Sequence, residues 1–165
     1  MNTDDLTLLM KQVEAKKYVL YKIAYSYTKN PHDAEDCMAD AVLTAMQKLR
    51  QLRDEESFYP WYVSILVNTC RKFYRKNKKH IELNENICEP DILNQFSGAE
   101  DRILIEEVLS SLRKEEADIL VLKYLEDFSL KEISEIMTIP ENTIKSKIHR
   151  SLKNLRKLYG GLQNG

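Results

Sequence analysis

The stretch Ser129–Arg156, SLKEISEIMTIPENTIKSKIHRSLKNLR, decides the fold. Ser129 and Glu132 stand three residues apart ahead of the apolar set Leu130, Ile133 and Met137. That spacing is the signature of a capping box, in which the hydroxyl and the carboxylate satisfy backbone N–H groups that the first helical turn leaves unpaired. The segment Thr138-Ile139-Pro140 interrupts the pattern, because proline removes a helix hydrogen bond and clashes with the preceding turn. Ile144, Ile148, Leu152, Leu155 and Tyr159 then recur at helical spacing, which predicts a longer second helix. A short helix, a tight turn and a longer helix make a helix-turn-helix, whose second helix fits the major groove of DNA. A helical hairpin with no nucleic-acid role has the same spacing.

The outward face of the second helix bears on that choice. Asn142, Thr143, Lys145, Ser146, His149, Arg150, Lys153 and Arg156 lie off the apolar stripe. Amide, hydroxyl and cationic groups in the early turns can read base edges, and Lys153 and Arg156 further along suit phosphates.

Charge along the whole chain is segregated. The formal net charge is -1, from 25 basic and 26 acidic residues. From Ser57 to Ile81 there is no Asp or Glu, yet Arg71, Lys72, Arg75, Lys76, Lys78 and Lys79 are present. A second acid-free stretch, Asn142 to Gly165, carries Lys145, Lys147, Arg150, Lys153, Arg156 and Lys157. A near-neutral total therefore conceals two candidate polyanion surfaces. In the first, Asn68, Arg71, Lys72, Arg75, Lys76 and Lys79 follow helical spacing, so the cations fall in one line with a neutral amide at its upstream end. The opposite face of that helix is the apolar stripe Phe58, Trp61, Tyr62, Ile65, Thr69 and Phe73.

Upstream, Leu6, Leu9, Met10 and Val13 continue into Leu20, Ile23, Ala24 and Tyr27 as one long amphipathic helix or two joined by a kink. Asn30-Pro31 ends it and caps the next, since proline fits the first turn where its missing N–H costs nothing. Ala34, Cys37, Met38, Ala41, Val42, Ala45, Met46 and Leu49 form the expected inward stripe of that helix. Asp33, Glu35 and Asp36 near its start favour the positive end of the helix dipole. Residues 81–99 lose periodicity and read as an acidic linker. Ser97 and Glu100 open a further helix, with Ile105, Val108, Leu109 and Leu112 inward, and another carries Ala117, Leu120, Val121, Tyr124 and Leu125.

These segments, with only four Gly and four Pro in 165 residues, predict an all-α chain. Its expected organisation is two small helical domains, residues 1–80 and 100–165, joined by a flexible linker over 81–99, with the helix-turn-helix in the second. Hydrophobic residues at 43% and charged residues at 31% are globular values. No apolar run approaches the ~20 residues needed to cross a bilayer, and no export signal is visible. Cys37, Cys70 and Cys88 lack paired metal-ligand spacing and read as reduced thiols in a cytoplasmic protein.

Together the two halves resemble the sigma-70 family of bacterial transcription initiation factors, and within it the small extracytoplasmic-function (ECF) sigma factors. Asp33-Ala34-Glu35-Asp36 and the helix after it are similar to the family's polymerase-binding helix. Ser57-Phe58-Tyr59-Pro60-Trp61 through Val67-Asn68-Thr69 resembles its minus-ten helix. Residues 129–156, with Ile139-Pro140, Thr143-Ile144 and Lys145-Ser146, resemble its minus-thirty-five helix-turn-helix. Ala39, Val42 and Met46 depart from the Gln, Phe and Trp common in the family's polymerase-binding helix, and Thr138 stands where its turn often has Gly.

The resemblance implies a non-enzymatic, cytoplasmic protein without a cofactor. Its implied partners are core RNA polymerase, promoter DNA and an anti-sigma factor. It puts Asp33, Asp36 and Asp40 at the polymerase, and Asn68, Arg71, Lys72, Arg75, Lys76 and Lys79 at the minus-ten element. Asn142, Thr143, Lys145, Ser146, His149, Arg150, Lys153 and Arg156 go to the minus-thirty-five element. An ordinary helix-turn-helix regulator with a helical sensing or dimerisation domain accounts for the second basic segment but not the first. His32, His80 and His149 show no metal-ligand spacing, and neither a phosphate-binding glycine loop nor a nucleophile elbow is present.

Overall fold

The computed structural model describes residues 3–83 and 111–163, and every regular element among them is helical. The chain divides into two compact units, residues 1–95 and 96–165.

In the first unit, α1 (Thr3–Ala15) and α2 (Lys17–Thr28) are separate helices, because Lys16 leaves helical geometry at φ -103°, ψ 14°. The break resolves the one-or-two-helix alternative in favour of two. The α2 helix ends on Lys29 in the left-handed region, and α3 (Pro31–Lys48) begins as its residues dictate. The Asn30 side chain accepts the Asp33 N–H at 3.0 Å, and Pro31 occupies the first turn. A polar connection then closes in a short 3-10 turn, Glu55–Ser57, where Asp54 accepts the Ser57 N–H at 2.8 Å. The 26-residue α4 (Phe58–Leu83) follows.

Helices α2, α3 and α4 pack mutually, with α1 against α4. Their core is Leu9, Leu20, Ile23, Phe58, Tyr62 and Leu66, each with under 2% of its surface exposed. Burial of such a side chain stabilises by about 1.5–3 kcal/mol, so this set holds the three-helix layer on which the functional faces are displayed. The buried face of α3 is narrow and made of small residues, Ala34, Cys37, Ala41 and Ala45. Its narrowness corrects one expectation: Met46, one position past Ala45, is rotated off the contact and is 49% exposed. Helix α4 also continues through Leu83, past the expected end of the domain, with Ile81 buried.

In the second unit, α5 (Lys114–Leu120) runs into a π turn, Val121–Leu125, closed by the Glu126 N–H on the Val121 carbonyl at 3.1 Å. The wider π turn shifts the phase of the apolar stripe. Ile119, Leu120, Val121 and Leu122 are buried, while Tyr124 and Leu125, expected inward from 3.6-residue spacing, are exposed. The helix-turn-helix follows as α6 (Leu130–Met137), a turn through Thr138-Ile139-Pro140, and α7 (Glu141–Gln163). Both capping-box bonds are made: the Glu132 N–H donates to the Ser129 hydroxyl at 3.1 Å, and the Ser129 N–H donates to the Glu132 carboxylate at 2.8 Å. Ile133, Ile136, Met137 and Ile144 lock α6 onto α7. Residues 84–99 of the linker expected over 81–99, the Ser97–Glu100 box, Ile105, Val108 and Leu109 lie outside the described residues, as does Cys88.

Candidate nucleic-acid interface

Apolar burial on one side of α4 forces its polar residues outward. Tyr62, Val63, Leu66, Val67 and Cys70 are buried, and Asn68, Lys72, Arg75, Lys76 and Lys79 are exposed, with Arg71 half-buried. The line is regular only as far as Lys76. Asn77 has non-helical angles, φ -120° and ψ 16°, and its side-chain amide donates to the Phe73 carbonyl at 3.0 Å. Lys79 therefore lies past a kink and off the axis that carries Asn68 to Lys76. Trp61 is half-buried, its ring 6.1 Å from that of Phe58, on the flank of the core. The Tyr62 hydroxyl is pushed up to about 12, chiefly by burial and then by the neighbouring Cys70, so it stays neutral.

On α7, Ile144 and Ser151 are buried, and Asn142, Thr143, Lys145, Ser146, His149, Arg150, Lys153 and Arg156 are all exposed. The turn before this face rests on Thr138 at φ 57°, ψ 46°. That is left-handed geometry, which a β-branched residue adopts at a cost. The N–H groups of Thr138 and Ile139 both reach the Ser134 carbonyl, so the end of α6 is satisfied despite the strain.

The structure removes one cation from the face. Lys147 turns back to Glu115 of α5 at 3.2 Å and is 24% exposed, so it braces α7 against α5. Its spacing from Ile144 and Ser151 is the sequence signal for that inward placement.

The acidic candidates sit on α3. Asp33 is half-buried at the capped start, and Asp36 and Asp40 are exposed, Asp36 with His32 at 3.6 Å. Sequence reasoning missed an apolar strip beside them: Leu43 is 58% exposed and Met46 49%, with Ala39 exposed one turn before Leu43. The signal lay in the i, i+4, i+7 spacing of Ala39, Leu43 and Met46. Such a mixed face suits a protein partner, since apolar area drives association and charge sets orientation.

Among the described residues, no group of three or more His, Cys, Asp or Glu side chains could hold a metal ion. None of the described helices is long and apolar enough to cross a membrane.

Comparison with known proteins matches these two units in order. Residues 13–80 match Sigma-70 region 2, and residues 102–155 match Sigma-70, region 4. The chain is similar to the RNA polymerase sigma factor SigV of Bacillus subtilis, 32% identical over 152 residues, covering 90% of this chain and 89% of the relative. It is also similar to the ECF RNA polymerase sigma factor SigW of Bacillus subtilis, 29% identical over 159 residues and covering 88% and 85%. Among solved structures, the sigma factor RpoE in complex with the anti-sigma factor NepR from Bartonella quintana shares the fold. Its TM-score is 0.70 at 20% identity, over 92% of this chain and 96% of that one. With region 2 on the helices that carry the first basic line and region 4 on the helix-turn-helix, the chain belongs to the sigma-70 family, as an ECF-type sigma factor.

Proposed function

We propose that the two units divide promoter recognition between them, with α3 and α4 serving core RNA polymerase and the minus-ten element, and α7 the minus-thirty-five element. The observation that carries this reading is that one chain displays two separate basic helix faces, on α4 and on α7. A regulator with a single DNA-binding domain needs only the second.

On α3, Asp36 and Asp40, with Asp33 at the helix start, meet a basic surface of the polymerase, and Leu43 and Met46 supply apolar contact beside them. On α4, Arg71, Lys72, Arg75 and Lys76 hold the strand by its phosphates without regard to sequence, with Lys79 contacting it past the kink. Asn68 is the base reader, because a carboxamide presents both a donor and an acceptor. Opening duplex DNA costs a few kcal/mol for each extruded base, and stacking or base hydrogen bonds return about 1–3 kcal/mol each. On α7, Asn142, Thr143, Lys145, Ser146, His149 and Arg150 face the bases of the minus-thirty-five element, and Lys153 and Arg156 its phosphates.

The protein is non-enzymatic in this reading, the polymerase supplying the chemistry of RNA synthesis, and it works in the cytoplasm. An anti-sigma factor is the expected regulator, as the RpoE–NepR complex illustrates for a protein of the same fold. The test is co-purification of the full chain with core RNA polymerase. Stoichiometric retention of the polymerase subunits supports the reading; DNA binding with no polymerase retained supports the ordinary regulator instead.

A further inference from the structure

Cys37 on α3 and Cys70 on α4 are both buried, with 2% and 0% of their surface exposed, and both are reduced. Helices α3 and α4 pack directly against each other, and across that packing the Cys70 side chain is the hydrogen-bonding neighbour of Cys37. The seam explains how two sulfurs from different helices meet. The buried face of α3 consists of Ala34, Cys37, Ala41 and Ala45. Helix separation depends on the side chains at the contact, and small ones allow the closer end of the ~8–10 Å range. A disulfide needs sulfurs ~2.05 Å apart on Cα atoms ~4.4–6.8 Å apart, a spacing that helices packed through small side chains allow.

The chemistry of the pair is directional. The hydrogen bond from Cys70 stabilises a Cys37 thiolate and holds the Cys37 thiol below its usual range, outweighing burial and the nearby Asp40, Asp33 and Asp36, which push it up. The thiolate is the nucleophile in oxidation.

We propose that Cys37 and Cys70 form a reversible, peroxide-driven disulfide that clamps α3 to α4. In the first step the Cys37 thiolate attacks one oxygen of hydrogen peroxide. The O–O bond breaks, leaving a sulfenic acid on Cys37 and a hydroxide that takes up the proton Cys37 released, giving water. In the second, the Cys70 sulfur attacks the Cys37 sulfur, the S–O bond breaks, and the departing hydroxyl leaves as water with the Cys70 proton. Two thiols lose two electrons in all and one peroxide becomes two waters. Peroxide is small enough to enter during local opening of the helix layer, whereas a bulky thiol such as glutathione is kept out of the closed seam. Formation of the bond is independent of the promoter-recognition reading. That it joins the polymerase-facing helix to the strand-facing helix rests on that reading.

The experiment treats the full chain with hydrogen peroxide in native buffer and maps its three cysteines by non-reducing digestion and mass spectrometry. The proposal expects a Cys37–Cys70 linked peptide, loss of two hydrogen atoms from the intact mass, a higher urea midpoint, and reversal of all three by dithiothreitol. A Cys88→Ser chain should give the same link, and a Cys70→Ser chain that retains its helical circular dichroism should trap dimedone at Cys37. The proposal is overturned if both thiols stay unmodified in the folded protein. It is also overturned if Cys37 proceeds to sulfinic acid without linking, or if the link forms only in urea. Polymerase binding plays no part in these readouts, so failure of the functional reading leaves them unaffected.

Discussion

Two lysines six residues apart on α7 should behave in opposite ways when removed. Lys153 is exposed on the outward face, whereas Lys147 is bound to Glu115 of α5 at 3.2 Å. Lys153→Ala deletes a cation available to a phosphate, so the dependence of log affinity on log salt should flatten by about 0.9. Between about 50 and 200 mM salt the loss of affinity should be about threefold smaller than for the unaltered protein. The loss should be alike on all duplex sequences, because phosphates carry none. Lys147→Ala should leave the slope unchanged and cost stability instead. With 24% and 45% of the two side chains exposed, the pair is partly screened and contributes about 0.5–1 kcal/mol. For a domain of this size that lowers the melting temperature by about 3–6 °C. Fluorescence anisotropy of a labelled duplex across a salt series, with a thermal melt of each variant, reads both quantities. A Lys147→Ala protein whose slope flattens as much as that of Lys153→Ala, with its melting temperature unchanged, refutes the separation of roles.

Three further outcomes are expected. Thr138→Gly should stabilise the second unit, since left-handed geometry costs a non-glycine residue roughly 1–2 kcal/mol and glycine's extra unfolded freedom offsets about 0.5–1 of it; a lower melting temperature would contradict the strain at φ 57°. The Tyr62 hydroxyl is raised from 10.0 to about 12 in the fold and has no hydrogen-bond partner among the described residues. Between those values the unfolded chain has lost a proton that the folded one keeps, so the stability contributed by Tyr62 is full below the lower value and falls as pH rises through the window. The loss should be about 1.4 kcal/mol near pH 11 and absent from Tyr62→Phe, and urea midpoints showing equal alkaline loss in both proteins would remove Tyr62 as its source. Reversing charge at Asp36 and Asp40 together should weaken binding to core polymerase by about tenfold or more, about 1.4 kcal/mol, with helical circular dichroism kept. Loss of the helical signal would make these acids structural instead.

What could be read in the sequence was local. The Asn30 cap, the Ser129–Glu132 box and the break before Pro140 are set by neighbours within four residues, and each forms as its residue types require. Long stripes with uniform spacing, such as Leu20, Ile23, Ala24 and Tyr27, were equally legible, because all of them are buried. The departures arise where a single residue shifts the helical phase or where a distant element intervenes. The π turn at Val121–Leu125 puts Tyr124 and Leu125 outside, and the kink at Asn77 separates Lys79 from the cations before it. The spacing of Lys147 from Ile144 and Ser151 marks it as turned off the basic face, but its partner Glu115 stands on another helix, which periodicity along α7 does not express. Met46 is exposed because the alanine seam of α3 is narrower than its apolar stripe.

The most direct test of the central claim is transcription from genomic DNA of the source organism by core RNA polymerase, with and without the purified chain, with the 5′ ends of the transcripts sequenced. The account predicts new start sites that appear only with the chain and share one minus-ten and one minus-thirty-five element. With Asn68→Ala, discrimination at one minus-ten position should weaken by about 1–3 kcal/mol, and opening should slow at the same promoters. An unchanged set of start sites when the chain is added to the polymerase would contradict the account.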